Sequence, residues 1–178
     1  MRRSAIIKIY FTNEFKAQIT TNRQKDMAQA AAPSLAPELV ERINADAVSY
    51  FTDVSKNATE EQNNIFKSRQ GRMQTDPEFR DSTMARLATD WNESDADQDG
   101  KLNLAEYRTF LGKIKVAERE AGCYVRDQTE AESEQHFNNI NAVSEGDGVV
   151  MADWMQYMGV FMTKFFVLQG AMNPELEA

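Results

Sequence analysis

The sequence predicts an all-α protein built from helix–loop–helix pairs, with only short β pairing between loops. Three observations lead to this prediction. Four prolines and eight glycines are spread over 178 residues, so long segments can stay helical. Apolar residues recur at helical spacing along these segments. No alternating run of apolar and polar residues is long enough to form a sheet.

The first part of the chain, residues 1–36, is a basic segment followed by an Ala/Pro joint. No acidic residue precedes Glu14, and Ile7, Phe11 and Phe15 share one face of a helix. Two interpretations stay open. The segment is compatible with a mitochondrial transit peptide, which would place the protein in the mitochondrion, and with an amphipathic helix that docks on the body or on a partner.

Residues 37–75 are expected to form a helical N-terminal lobe. Pro37 suits the first turn of a helix, and Thr59 with Gln62 forms a capping box that opens a second helix. Between them, residues 53–64 resemble an ion-binding loop only in their first half, so we expect a plain helix–turn–helix, with a helical relic of such a loop as a compatible interpretation. The apolar face of the first helix consists of Leu39, Ile43, Ala47, Tyr50 and Phe51.

Residues 76–178 are expected to form a second helical unit with two loops, at 95–106 and 141–153. Asp76 is a suitable N-cap before Pro77, and Thr129 with Glu132 forms another capping box. A very apolar helix is expected from about residue 152 to 169. Apolar residues at helical spacing flank the first loop: Leu87 and Trp91 before it, and Tyr107, Phe110 and Ile114 after it.

The stretch DADQDGKLNLAE, residues 95–106, is the most informative segment of the chain. Ca²⁺ prefers six to eight oxygen ligands at about 2.3–2.6 Å. Acidic residues at the first, third and fifth places can converge their oxygens as the chain curls, and Gly100 permits the sharp turn. The seventh residue offers its carbonyl, the ninth its side chain, and the twelfth both carboxylate oxygens. The candidate metal ligands are Asp95, Asp97, Asp99, Lys101, Asn103 and Glu106.

This loop resembles those of the EF-hand calcium-binding family, because every ligand position, the glycine and the apolar eighth position, Leu102, are filled. The resemblance implies one bound Ca²⁺ and a neighbouring loop whose matching residue pairs with Leu102. The chain length and the helical N-terminal half also look like the sarcoplasmic calcium-binding and calexcitin-like branch. That likeness implies two helical lobes packed into one body that acts as a buffer or a sensor.

The partner loop should lie at residues 141–153. VVMADWMQYM aligns with LNLAEYRTFL, so Val149 matches Leu102 and Asp153 matches Glu106, with one residue inserted in the loop. An Asp at the last position is shorter than Glu, which favours Mg²⁺ or no ion. We expect a degenerate loop kept for a Leu102–Val149 bridge, with a second, weak ion site as the alternative. Its candidate ligands are Asn141, Ser144, Glu145, Asp147 and Asp153.

The last helix carries four methionines at helical spacing, Met151, Met155, Met158 and Met162, among several aromatic residues. Most of its circumference is apolar, so most of it is expected to be buried. Part of residues 151–168 could instead form a groove that calcium uncovers for a partner helix. A membrane span is not expected, because polar and charged residues interrupt the helix.

Composition limits the classes of function. Residues 76–178 carry a net charge of −11 within a total of −8, and such an acidic half repels nucleic acid. Cys123 and His136 are the only cysteine and histidine, so neither an internal disulfide nor a His/Cys zinc site can form. A single thiol fits a reducing compartment, and we expect a cytoplasmic protein, with the cytoskeleton or a cilium as alternatives.

The sequence therefore favours a calcium-binding regulatory protein, a sensor or a buffer, that presents its Met-rich helix to a protein target. The alternative is a structural subunit of a cytoskeletal or ciliary assembly, in which calcium has a stabilising role. An enzyme is not expected, because the sequence contains no evident nucleophile–base constellation and no glycine-rich phosphate loop.

Overall fold

A computed structural model describes residues 35–142 and 148–170. Helices make up about 78% of these residues, and the described ranges contain no strand, which confirms the all-α class. The six helices are α1 (Pro37–Asn57), α2 (Glu60–Thr75), α3 (Pro77–Ser94), α4 (Leu104–Glu120), α5 (Glu130–Asn141) and α6 (Met151–Leu168). The basic N-terminal segment, Ser144, Glu145 and Asp147 lie outside the described residues.

Three of these helices begin where local capping chemistry predicts. Thr59 and Gln62 form the reciprocal capping box at the start of α2, and Thr129 and Glu132 form the one at the start of α5. The side chain of Asp76 accepts a hydrogen bond from the third residue of α3, at 3.0 Å. Side-chain oxygens thus satisfy backbone N–H groups that the first turn leaves without partners.

The most extensive contact between helices joins α1 to α6. The ring of Phe165, in α6, is almost fully buried and lies 5.7 Å from that of Tyr50 and 5.8 Å from that of Phe51. It also lies 5.5 Å from the ring of Phe66 in α2. Phe165 therefore joins the first two helices to the last. The boundaries between the expected lobes, at residues 36/37 and 75/76, stay predictions.

Helix α6 is less buried than its composition suggests. Only Trp154, Tyr157 and Phe165 are buried, whereas the methionines are half-buried or, for Met155, 39% exposed. Most of this helix is therefore half-buried and not fully buried, and a cavity lies beside it. No helix in the described ranges is long and apolar enough to cross a membrane.

A cavity of about 470 Å³ lies among the helices, lined by residues from all six of them and from the connector between α4 and α5. Helix α2 has no buried residue, and α3 buries only Trp91 and Ser94. The cavity is partly open to solvent, so water or a ligand can enter it.

Candidate metal centre

The acidic loop at 95–106 is held between α3 and α4, which pack on each other. The ring of Trp91, in the last turn of α3, meets the ring of Phe110 in α4 edge to face, with centroids 4.9 Å apart. At the other end of the loop, Asn103 Oδ1 accepts hydrogen bonds from the amides of Ala105 at 2.9 Å and Glu106 at 3.1 Å. The loop is thus anchored at both ends before any ion enters.

The turn of the loop depends on two residues with positive φ. Gly100 has φ 87°, as the sequence predicts, and its amide donates to Asp95 Oδ2 at 2.9 Å. A Cβ added to Gly100 would meet nothing within 4 Å, so backbone conformation and not space requires glycine there. Gln98 also has a positive φ, 59°, which the sequence did not indicate.

Three carboxylates meet inside this turn. Asp95, Asp97 and Asp99 each offer an oxygen, and these atoms all lie within 4.8 Å of one another. Local hydrogen bonds orient two of them: Asp97 Oδ1 accepts from the Asp99 amide at 3.2 Å, and Asp99 Oδ1 accepts from the Lys101 amide at 2.7 Å. Like charges at this separation repel by about 1 kcal/mol per pair even in bulk water. A cation between them would reverse the sign of that interaction.

Asp95 carries a more specific sign of an ion. Its side chain is buried, and one carboxylate oxygen, Oδ2, is satisfied by the Gly100 amide. The other, Oδ1, is buried without a hydrogen-bond donor. A buried charged oxygen without a partner is costly, by about 1–3 kcal/mol or more. A bound cation is the partner that would satisfy it, so these residues fit a metal ion.

Glu106 lies at the loop but outside the group of three carboxylates. Its Oε1 accepts from the Ala96 amide at 2.9 Å, and its Oε2 accepts from the Asn103 amide at 3.0 Å. Each oxygen thus accepts one hydrogen bond and keeps a second lone pair that could bind a metal ion. Of the six predicted ligands, the three aspartates are therefore brought together, while Glu106 and the side chain of Asn103 are engaged with backbone amides.

The second loop pairs with the first through the bridge that the alignment predicts. The backbones of Leu102 and Val149 exchange two hydrogen bonds, of 2.8 and 3.0 Å, and both side chains are fully buried. Asn141 Oδ1 accepts from the Gly148 amide at 3.1 Å, much as Asp95 accepts from Gly100. Gly148 has φ 102°, and a Cβ there would lie only 3.4 Å from the Leu102 carbonyl oxygen.

Asp153, the last candidate ligand of this second loop, has a buried Oδ2 without a hydrogen-bond partner. It is therefore similar to Asp95 in the first loop, although its exposure is intermediate. Of the five candidate ligands of the second loop, only Asn141 and Asp153 lie within the described residues. Whether residues 141–153 hold an ion stays a prediction.

A buried polar network lies directly behind the loop. The Tyr107 hydroxyl, one residue after Glu106, lies 3.0 Å from His136 Nδ1, and the ring of His136 lies 4.6 Å from that of Tyr157. Asp46 Oδ2 accepts from the Tyr157 hydroxyl and from Asn139 Nδ2, each at 2.8 Å. The network thus ties α1, α4, α5 and α6 together.

Burial lowers the pKa of His136 to about 4, so its ring is neutral at physiological pH. Sequence reasoning did not assign this network. One signal was present: Asp46 follows Leu39 and Ile43 at helical spacing and so lies on the buried face of α1. An acidic residue on such a face needs buried donors, but the sequence does not say which residues supply them.

Cation binding is the chemistry that this arrangement supports. Carboxylate oxygens bind hard cations such as Ca²⁺ and Mg²⁺, whereas softer metals prefer sulfur or imidazole ligands. Comparison of the chain with protein-family models, with curated proteins and with solved structures finds no match. The assignment of residues 95–106 as a candidate metal site therefore rests on their sequence and geometry alone.

Proposed function

We propose that this protein is an EF-hand calcium-binding regulatory protein. It binds Ca²⁺ in the 95–106 loop and presents apolar surface of α6, residues 151–168, to a protein target. The observation that carries the proposal is the buried Asp95 Oδ1, which has no donor and lies beside two further carboxylates. The bridge between Leu102 and Val149 supports the pairing of this loop with the one at 141–153.

Ca²⁺ is favoured over Mg²⁺ at this site for two reasons. The loop offers more oxygens than the near-octahedral shell of Mg²⁺ uses, since three carboxylates, a carbonyl, Asn103 and a bidentate Glu106 are all candidates. Mg²⁺ also keeps several of its waters, whereas a buried Asp95 favours an ion that sheds them. The second loop, which ends in Asp153, would take Mg²⁺ or a weakly held ion.

Regulation would start at Glu106. This side chain lies outside the group of three aspartates and must move toward them to chelate the ion, and it lies in the first turn of α4. The next residue, Tyr107, is fully buried against His136, so a rotation of α4 would change the contact between these two side chains in the core. Met155, the most exposed of the described methionines, marks the edge of the surface that a target would contact.

Calorimetric titration with Ca²⁺ and Mg²⁺ tests the site. The wild type should show one tight Ca²⁺ site, and Glu106→Gln should weaken it by two orders of magnitude or more, because one charge and bidentate chelation are lost. Glu120→Gln is the matched control: it is the same change at the exposed end of the same helix, and it should leave binding unchanged. Tight binding by Glu106→Gln would show that the site is assigned wrongly.

Apolar dye binding and amide hydrogen exchange, each with and without Ca²⁺, test the regulatory role. A sensor should bind more dye in Ca²⁺, and exchange should change in α4 and α6 as well as in the loop. If Ca²⁺ binds but nothing changes outside residues 95–106, the sensor role is wrong and a buffering or stabilising role remains.

A further inference from the structure

Helix α2 forms one wall of the cavity, although little of it is packed into the core. The side chains of α2 that line the cavity are all half-buried: Phe66, Arg69, Gln70 and Met73. No residue of α2 is buried, whereas α1 and α4 each bury three or more. Segments with few buried apolar contacts open at a lower free energy than the core does. Of the six helices in the described ranges, α2 is the one that burial holds least.

Short extended joints lie at both ends of α2. Ala58, between α1 and α2, has φ −76° and ψ 137°, and Asp76, between α2 and α3, has φ −114° and ψ 97°. Changes of the backbone angles at a few such residues are enough to turn a whole helix. The capping bonds of Thr59 and Asp76 can stay intact during this turn, because each lies within the helix that follows.

An ion pair and an aromatic contact hold the inner face of α2 on the helices behind it. Arg69 Nη2 donates to Glu118 Oε1, in α4, at 3.1 Å, and the two side chains are 26% and 27% exposed. The ring of Phe66 lies 5.5 Å from that of Phe165 in α6. Solvent reaches the ion pair, so salt screens it. Glu118 also lies 3.7 Å from Arg86 of α3, so it keeps a cationic neighbour when Arg69 moves away.

The thiol of Cys123 lies behind this wall. Cys123 is 4% exposed and lines the cavity, and a Cβ on its neighbour Gly122 would lie 2.9 Å from Ile65 Cδ1 of α2. Burial, followed by the charge of Glu118, raises the pKa of Cys123 to about 11, while Arg69 acts in the opposite direction. Reaction of this thiol with a reagent should therefore be slow while α2 is in place.

We propose that α2 is a lid that opens and closes the cavity, and that the ion pair between Arg69 and Glu118 is its latch. When the latch breaks, α2 turns outward about Ala58 and Asp76, and the cavity becomes accessible from this side. The packing of α1 on α6, which is the most extensive in the fold, stays intact. The lid does not depend on the calcium site.

Labelling of Cys123 in the native protein, with a chelator present, tests the lid. Cys123 is the only cysteine, and neutral iodoacetamide with mass spectrometry of the intact protein follows it alone. Without urea, labelling should be at least about tenfold faster than global unfolding allows, and it should depend weakly on low urea, because opening exposes little surface.

Arg69→Gln should raise the labelling rate about three- to tenfold, because the latch is lost. Its effect on the pKa of Cys123 would slow the reaction, so faster labelling reports opening. Added salt should speed labelling of the wild type and not of Arg69→Gln.

Two control variants separate the lid from general instability. Arg80→Gln is the same change at an arginine whose ion pair, with Asp81 at 3.8 Å, stays within α3, so it should not alter labelling. Ile43→Val trims a fully buried side chain of α1 that does not line the cavity. It should lower the urea midpoint of unfolding and leave the labelling rate without urea unchanged.

Three results would overturn the proposal. If Ile43→Val speeds labelling in proportion to its loss of global stability, the thiol is reached only by unfolding of the whole protein. If neither Arg69→Gln nor salt changes the rate, the thiol is reached past a fixed wall. If Cys123 does not react at all below the urea unfolding transition, α2 does not open.

Discussion

Lowering the pH should destabilise the protein through one buried side chain, His136. Its ring packs against Tyr107 and Tyr157, with Asp46 and Lys115 as the charged neighbours. Burial is the main cause that lowers its pKa from 6.5 to about 4. The unfolded chain therefore binds a proton near pH 6.5, while the folded protein resists protonation until about pH 4.

The sign and size follow from proton linkage. The stability that depends on a neutral His136 is fully present above pH 6.5. It falls as the pH decreases from 6.5 to 4, because the unfolded state binds more protons than the folded state in this range. Between pH 7.5 and pH 5 the loss amounts to about 2 kcal/mol, and by pH 4 it approaches about 3 kcal/mol. Carboxylates also titrate in this range, so a variant without the imidazole is needed to isolate the contribution.

Urea unfolding of the wild type and of His136→Gln, from pH 7.5 to pH 4.5 in the presence of a chelator, provides the measurement. The difference between the two free energies of unfolding should shrink by about 2 kcal/mol on going to pH 5. His136 is the only histidine, so its ring proton can also be followed directly by NMR. A flat difference curve, or a ring that titrates above pH 6, would refute the reasoning.

Three further perturbations have defined signs. Gly100→Ala should destabilise the ion-free protein by about 1–2 kcal/mol in urea unfolding because of its positive φ, whereas Gly112→Ala, inside α4 with open space around it, should stabilise it by about 0.5–1 kcal/mol; equal effects would contradict the assigned turn. Asp97→Asn should stabilise the ion-free protein by about 1 kcal/mol at low salt, because it removes one of three neighbouring negative charges, and it should weaken Ca²⁺ binding in calorimetry. A variant that is less stable without the ion and also binds Ca²⁺ more weakly would argue against repulsion among the three carboxylates. Tyr157→Phe should cost about 1–3 kcal/mol in thermal or urea unfolding, because Asp46 loses a buried donor, and an unchanged stability would show that this bond is replaced by water.

Local chemistry explains which parts of the fold the sequence could predict. The caps at Thr59, Asp76 and Thr129 involve residues within three positions of one another, so each start site is visible in a short window. The bridge between Leu102 and Val149 spans 47 residues, yet alignment of two similar segments located both of its ends. Because the two segments are similar in sequence, this long-range contact could be predicted.

The remaining features depend on packing that no window contains. Asp46 meets Asn139 and Tyr157 across 93 and 111 residues, and only the spacing of Asp46 on α1 hinted that it is buried. The cavity arises because α2 and α3 cover the apolar face of α6 incompletely, and incomplete coverage leaves no mark in a hydrophobic pattern. The sequence was compatible with the methionines of α6 being core residues or lining a groove. Their half-burial could be learned only from the assembled helices.

The contacts around the loop also limit how calcium could act at a distance. Two connections lead from residues 95–106 into the body: the doubly hydrogen-bonded bridge from Leu102 to Val149, just before α6, and the contact from Tyr107 to His136 in α5. Both are buried, and buried packing shifts between discrete arrangements and does not deform gradually. A sensor must therefore break or re-form at least one of these connections when Glu106 moves onto the ion, whereas a buffer can keep both. The distinction between the two roles thus lies in the fate of Tyr107 and Leu102, and not in the acidic residues that hold the ion.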